Sequence, residues 1–275
     1  MASEGLQGHR ARKRFGQNFL HDRHWIERIA KAVNATEGDD IVEIGPGQAA
    51  LTRELIAGAG KVRAVEIDRD LAAWLKETFP ESLRLIEADA LTLDWTQVAK
   101  NDNLRVVGNL PYNISSPLLF KLLEAADHVK DQHFMLQKEV VDRMVAQHGS
   151  KTYGRLSVML QWRYRMQKLF DVPPGAFNPP PKVMSSVVRM IPKAKEEVPS
   201  VDFELFSSVV ANAFSQRRKT IRNALSALLS AEEIAACDVD PGARAEALPL
   251  DAFVRLAQKA EALGRKAVTP GTTVD

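Results

Sequence analysis

Apolar and polar positions follow two different periods along the first two-thirds of the chain. Short apolar runs occur at Ile41–Ile44, Val62–Glu66, Leu83–Ala88, Arg105–Gly108, His133–Gln137, Val158–Arg163 and Ser186–Ile191, each of strand length. Between most of them apolar residues recur at helical spacing, as in Leu71, Leu75 and Phe79, or Leu118, Leu119, Leu122 and Leu123. Strands that alternate with helices predict an α/β chain with a mainly parallel sheet covered on both faces. The last two predicted strands follow each other without a clear helix, which suits an antiparallel pair at the sheet edge. The stretch Pro192–Ser200 is charged, flanked by prolines and without apolar period, so it reads as a linker. Beyond it the pattern is helical throughout: Phe203–Phe214, Arg218–Leu229, a short piece near Glu232–Ala236, and Leu250–Leu263. The tail from Thr269 is expected to fray.

Composition narrows the picture. A length of 275 residues suits one large domain and one small one. The single cysteine, Cys237, cannot form an internal disulfide, and the six histidines show no Cys/His zinc spacing, so no metal is expected. The N-terminal stretch is basic but has no apolar core of the kind a signal peptide carries. No window approaches the run of about 18 apolar residues that a membrane helix needs. The expectation is a soluble, cytoplasmic chain with no membrane partner. A net charge of +2 does not announce nucleic acid, but its distribution is uneven. Arg10, Arg12, Lys13 and Arg14 form one cluster, and Arg217, Arg218, Lys219 and Arg222 another. Such clusters can neutralise phosphates, although on charge alone two solvated faces account for them.

The strand Ile41–Ile44 runs into Gly45-Pro46-Gly47, and a helix follows near Leu51. Glycines at such a turn let the backbone approach a ligand. Glu66, nineteen positions after Gly47 and at the end of the next strand, can accept from both hydroxyls of a ribose. Asp89, at the end of the third strand, can accept from the exocyclic amine of an adenine. Together these form an adenosine-binding edge. A dinucleotide-binding fold carries a similar loop and acid, and both acids could serve only as helix caps.

The fourth strand ends in Asn109-Leu110-Pro111-Tyr112, and this tetrapeptide separates the readings. An adenine amino nitrogen is a poor nucleophile because its lone pair is delocalised into the ring. Two acceptors, the Asn109 amide oxygen and the Leu110 carbonyl, can take both of its protons and favour pyramidalisation. Pro111 stiffens the turn, and Tyr112 offers a ring for an extruded base. Catalysis would then be mainly positioning and electrostatics, with no strong general base. A second ring is expected from Phe177, held by the stiff run Pro179-Pro180-Pro181.

With these residues in view, the chain resembles the ribosomal RNA small-subunit adenine dimethyltransferases, the kasugamycin-sensitivity methyltransferases. The resemblance rests on Arg14–Leu20, Glu43–Gly47, Asn109–Ile114, Leu136–Val140, Tyr153–Ser157, Phe177–Val183 and Gln216–Asn223, in that order. It covers residues 7 to about 257. It departs from the family pattern at Gln48 and Met184. The resemblance implies a Rossmann-like S-adenosylmethionine-dependent methyltransferase domain over residues 1–195 and a smaller all-α domain over residues 196–275. It implies dimethylation of the N6 amines of two adjacent adenosines in the 3′-terminal hairpin of 16S rRNA, late in 30S assembly. Carried over by position, Gln17, Asn18 and Leu20 would contact the cofactor, with Gly45 and Gly47 lining the loop. Glu66 would hold the ribose and Asp89 the adenine, with Ile67 and Ala90 also contacting the cofactor, and Asn109 would serve both cofactor and target amine. The two basic clusters become candidate contacts to rRNA of the immature 30S subunit, and the chain is expected to be a monomer. Competing readings are a macrolide-resistance-type methyltransferase of large-subunit rRNA, a DNA adenine methyltransferase, an assembly-checkpoint binding protein and, weakest, a nicotinamide oxidoreductase.

Overall fold

The computed structural model describes residues 6, 8, 11, 12, 16–99, 102–216 and 218–270. They form two compact units, one of residues 1–141 with 165–192 and one of residues 142–164 with 193–275. The units divide after residue 192 rather than 195, and residues 142–164 group with the helical C-terminal part.

The first unit opens with β1 (Phe19–Leu20) and α1 (Arg23–Val33). The Asp22 carboxylate accepts from the backbone N–H of His24 and starts α1, and Asn34 in the left-handed conformation ends it. Ile26, Ile29 and Val33 form its buried stripe. Then come β2 (Ile41–Ile44), α2 (Ala50–Ala59), β3 (Val62–Glu66), α3 (Arg69–Thr78), β4 (Leu83–Glu87), α4 (Trp95–Val98), β5 (Leu104–Asn109), α5 (Ser115–Leu122) and β6 (Val129–Gln137). These strands match the predicted ones closely at most ends; β6 begins four residues earlier, at Val129. All four residues of β2 are buried, as a strand covered on both faces requires. Gly58 in α2 could not be larger, because a Cβ there would lie 2.5 Å from the Ala35 carbonyl oxygen.

The chain continues through α6 (Lys138–Met144), α7 (Arg155–Arg163), β7 (Tyr164–Val172), β8 (Phe177–Asn178) and β9 (Ser185–Pro192). The seven-stranded sheet has the order β4-β3-β2-β5-β6-β9-β7, with β4 through β6 parallel and β9 antiparallel to β6. The predicted strand Val158–Arg163 is instead the helix α7, and the strand starts at Tyr164. Its apolar run Val158-Met159-Leu160 is buried on all sides, and such a run has no period that separates strand from helix.

The order reverses between β2 and β5, so a crevice opens beyond their C-terminal ends. At the opposite end of the sheet sits a buried ionic cluster. Arg105, 5% exposed, pairs bidentately with Asp131 at 3.0 Å, with Asp39 at 2.7 Å and with the Val33 carbonyl at 2.6 Å. This guanidinium fastens the end of α1 to β5 and β6 and satisfies two carboxylates that burial alone would penalise.

In the second unit, α8 (Phe203–Phe214) packs on α7 and on α11 (Leu250–Ala262), with α9 (Ile221–Ala224) and α10 (Ala231–Ala235) between. Trp162 lies against Phe203 and Phe206 at 5.6 and 5.4 Å between ring centroids, and Phe214 against Phe253 at 5.4 Å. The predicted helix Arg218–Leu229 is helical only over Ile221–Ala224. Backbone N–H groups of Ile221 and Arg222 donate to Ala243 and Pro241, Thr220 before them is extended and bridges to Arg244, and the Lys219 N–H turns back to Gln216. The Val268 carbonyl is pinned by Ser208 and Asn212, and residues 271–275 lie outside the described residues.

Candidate active site

Register places the site. Ile44 in β2 pairs with Gly108 in β5, so the turns that follow, Gly45–Gly47 and Asn109–Tyr112, leave the sheet side by side. Gly108 is required there, since a Cβ would meet the Ile44 carbonyl oxygen at 2.8 Å. Gly47 has φ +55° and the Phe19 ring 3.0 Å from where a Cβ would stand. Only glycine fits that position on both counts. The two turns, the ends of β3 and β4 and the N-terminal segment enclose a cavity of about 330 Å³. Gln17, Asn18 and Leu20, Gly45 and Gly47, Glu66 and Ile67, Asp89 and Ala90, and Asn109, Leu110, Pro111 and Tyr112 all line it.

The electrostatics of the walls differ. Glu66 is 5% exposed; burial pushes its pKa up, while the N–H groups of Gly47 and Asp68 donate to its two oxygens at 3.3 and 2.9 Å. An acceptor so fixed by backbone donors cannot swing away, which suits a pair of vicinal hydroxyls. Asp89 uses one oxygen to accept from the Leu91 N–H at 2.9 Å. Ile67 is 43% exposed, an apolar surface at the cavity edge fit for a flat ring. Among the described residues no three Cys, His, Asp or Glu side chains gather as a metal site would need. No helix of the described residues is long and apolar enough to cross a membrane.

At the β5 turn, the Asn109 side-chain nitrogen donates to the Asn18 carbonyl at 3.1 Å. No described residue donates to the other end of that amide, its Oδ1, so an acceptor remains available there. The Leu110 side chain is 1% exposed and its N–H donates to Met135, which clamps the turn. The Tyr112 hydroxyl lies 3.0 Å from Ser185 Oγ, and Ser115 Oγ donates to the Tyr112 carbonyl.

Three expectations are placed differently. Phe177 is 3% exposed in the hydrophobic core and is not part of the cavity wall. Leu20 and Phe19 of β1 pair with Phe177 and Asn178 of β8, and this pairing draws the ring inward as a loop anchor. Arg12 is one-third exposed and paired with Asp68 at 3.2 Å and with Asp70, so its charge is already matched within the protein. Arg10, Lys13, Arg14 and Arg217 lie outside the described residues; Arg218, Lys219 and Arg222 are exposed on the second unit. Sequence reasoning passed over Glu43, Phe19, Asp68 and Ser185. Glu43 lines the cavity, 3% exposed, and gave no signal because its burial comes from the sheet. Burial pushes its carboxyl up to about 7, against a 2.6 Å hydrogen bond from Thr52.

A family model described as ribosomal RNA adenine dimethylase matches residues 8–261. The ribosomal RNA small subunit methyltransferase A of Acinetobacter baylyi is 53% identical over 256 residues, covering 92% of this chain and 93% of that one. Its counterpart in Thiobacillus denitrificans is 57% identical over 241 residues, covering 87% and 94%. Among solved structures, a dimethyladenosine transferase from Plasmodium falciparum superposes with TM-score 0.79 at 25% identity, over 91% of this chain and 100% of that one. With a cavity lined by a glycine turn, Glu66 and Asp89 beside an Asn-Leu-Pro-Tyr turn, and with a family model spanning nearly its whole length, the chain belongs to the ribosomal RNA adenine dimethylase family of S-adenosylmethionine-dependent methyltransferases.

Proposed function

We propose that the chain dimethylates the N6 amines of two adjacent adenosines in the 3′-terminal hairpin of 16S rRNA, acting as a monomer in the cytoplasm on the immature 30S subunit. The observation that carries the reading is the Asn109 amide. Its nitrogen is engaged by the Asn18 carbonyl at 3.1 Å, so its oxygen is the end left for the target amine. The Leu110 carbonyl is the second acceptor, and the Tyr112 ring, steadied by Ser185, is the stacking surface. Glu66, Asp89, Gly45, Gly47 and the Gln17–Leu20 segment would hold the cofactor, which would supply an electrophilic sulfonium methyl. Asn109 Oδ1 and the Leu110 carbonyl would hold the amine's two protons while its nitrogen is methylated, and the amine would then lose one proton to water. The unit of residues 1–141 and 165–192 would carry this chemistry, and the unit of residues 142–164 and 193–275 would hold the subunit through Arg218, Lys219 and Arg222. Phe177 supports the site as an anchor beneath it.

The test is incubation of undermethylated small subunits with labelled cofactor, followed by nucleoside mass spectrometry. The expected product is N6,N6-dimethyladenosine at two neighbouring positions. Label in large-subunit rRNA alone would reject the substrate assignment and favour the macrolide-resistance type.

A further inference from the structure

Asp68 stands two residues beyond Glu66, and its carboxylate is wholly buried. Capping α3 uses one of its oxygens, which accepts from the Asp70 N–H at 3.1 Å. The same oxygen lies 3.2 Å from Nη1 of Arg12, and the other accepts from Gln17 Nε2 at 3.0 Å. The Arg12 N–H in turn donates to Gln17 Oε1 at 2.7 Å, so both ends of the Gln17 amide are engaged. Arg12 also pairs with Asp70. On its inner side the Asp68 N–H donates to Glu66 Oε1 at 2.9 Å. One run of bonds therefore joins the N-terminal segment, through Asp68, to the acid at the heart of the cavity.

The geometry points to Asp68 as a positioning residue for the cofactor: it clamps Arg12 and Gln17, and so sets the N-terminal wall of the cavity in register with Glu66. Gln17 lines that cavity beside Asn18, whose carbonyl receives the Asn109 amide. Loss of the clamp frees the wall on which cofactor binding depends. Arg12 serves the cofactor side of the reaction, and rRNA phosphates fall to other cations. This inference rests on the reading of the cavity as the cofactor site.

Calorimetric titration of the full-length protein with S-adenosylmethionine tests it, without any turnover. The variants are Asp68→Asn, Arg12→Gln and their combination. Asparagine keeps the cap acceptor of α3, so a role limited to capping leaves affinity unchanged. Each single change is expected to weaken cofactor affinity by roughly three- to tenfold, as removal of a charge-assisted hydrogen bond does. The double variant should be no weaker than the worse single, because both remove the same interaction. Arg12 is one-third exposed, so Arg12→Gln stays informative even if Asp68→Asn folds poorly. Wild-type affinity in Arg12→Gln, with loss only in binding to small subunits, would overturn the clamp and return Arg12 to the RNA. Glu66→Gln is the control: wild-type affinity in that variant would remove the cavity reading itself, whatever the clamp variants do.

Discussion

Asn109 sits where the last residue of a buried strand meets a stiff turn, with one end of its amide tied to Asn18. That tie decides which end is presented, and the Asn-Leu-Pro-Tyr spelling alone could not. Asn109→Ala should lower kcat by roughly 100- to 1000-fold, the scale for removal of one preorganised polar group from a transition state. The melting temperature should stay within a few degrees of wild type, and near-normal turnover in single-round assays would refute the role. Two carboxyls give pH signatures of opposite sign. Burial raises Glu43 from the ordinary 4.5 to about 7, so its stabilising neutral form is complete below 4.5 and is lost as pH climbs to 7. Burial disfavours ionisation of Asp39 too, but the Thr36 N–H and Arg105 outweigh it and hold the carboxyl at about 2. Its contribution is present above 3.8 and disappears as pH falls toward 2. Glu43→Gln should therefore flatten the decline in melting temperature above pH 4.5 only partly, because Glu66, also raised by burial, keeps a slope of the same sign. A slope as steep as wild type in that variant would place its origin elsewhere.

At the scale of elements, the sheet divides its labour between its two ends. C-terminal strand ends carry turns and acids around the cavity, while N-terminal ends carry Arg105 among Asp39, Asp131 and the Val33 carbonyl. Truncating the cation strips Asp131 of its bidentate partner and leaves Asp39 with Thr36 and Lys130, and loss of one member of a buried pair costs about 3–5 kcal/mol in comparable cases. Arg105→Met should lose that much in denaturant unfolding, yet the folded fraction should methylate normally because the cluster touches no cavity residue of the turns. A loss of turnover per folded molecule would show that the two ends are coupled. The helix α7 is the instructive miss at this scale. Its apolar run is buried on every side, and only packing against Phe203 and Phe206 through Trp162 reveals that it belongs with the helical unit.

For the whole molecule, rRNA binding is expected to be a charge interaction on a chain of nearly balanced charge. Arg218, Lys219 and Arg222 are exposed together, whereas Arg12 is matched internally. Replacing all three with alanine should reduce the slope of log binding constant against log salt by up to about 2–3, at roughly 0.7–0.9 for each phosphate no longer neutralised. An unchanged slope in filter binding to small subunits would move the RNA-binding surface elsewhere. The sequence by itself determined the strand–helix alternation, the order of glycine turn, two acids and Asn-Leu-Pro-Tyr, and through them the family. These are local signals: period, turn chemistry and spacing survive in one dimension. Only the tertiary structure decided that Phe177 is a core anchor, that Arg12 is clamped by Asp68, that Glu43 is buried and that residues 142–164 join the C-terminal unit. Each of those depends on a partner far along the chain, brought close by strand register and helix packing, and no local pattern encodes such a meeting.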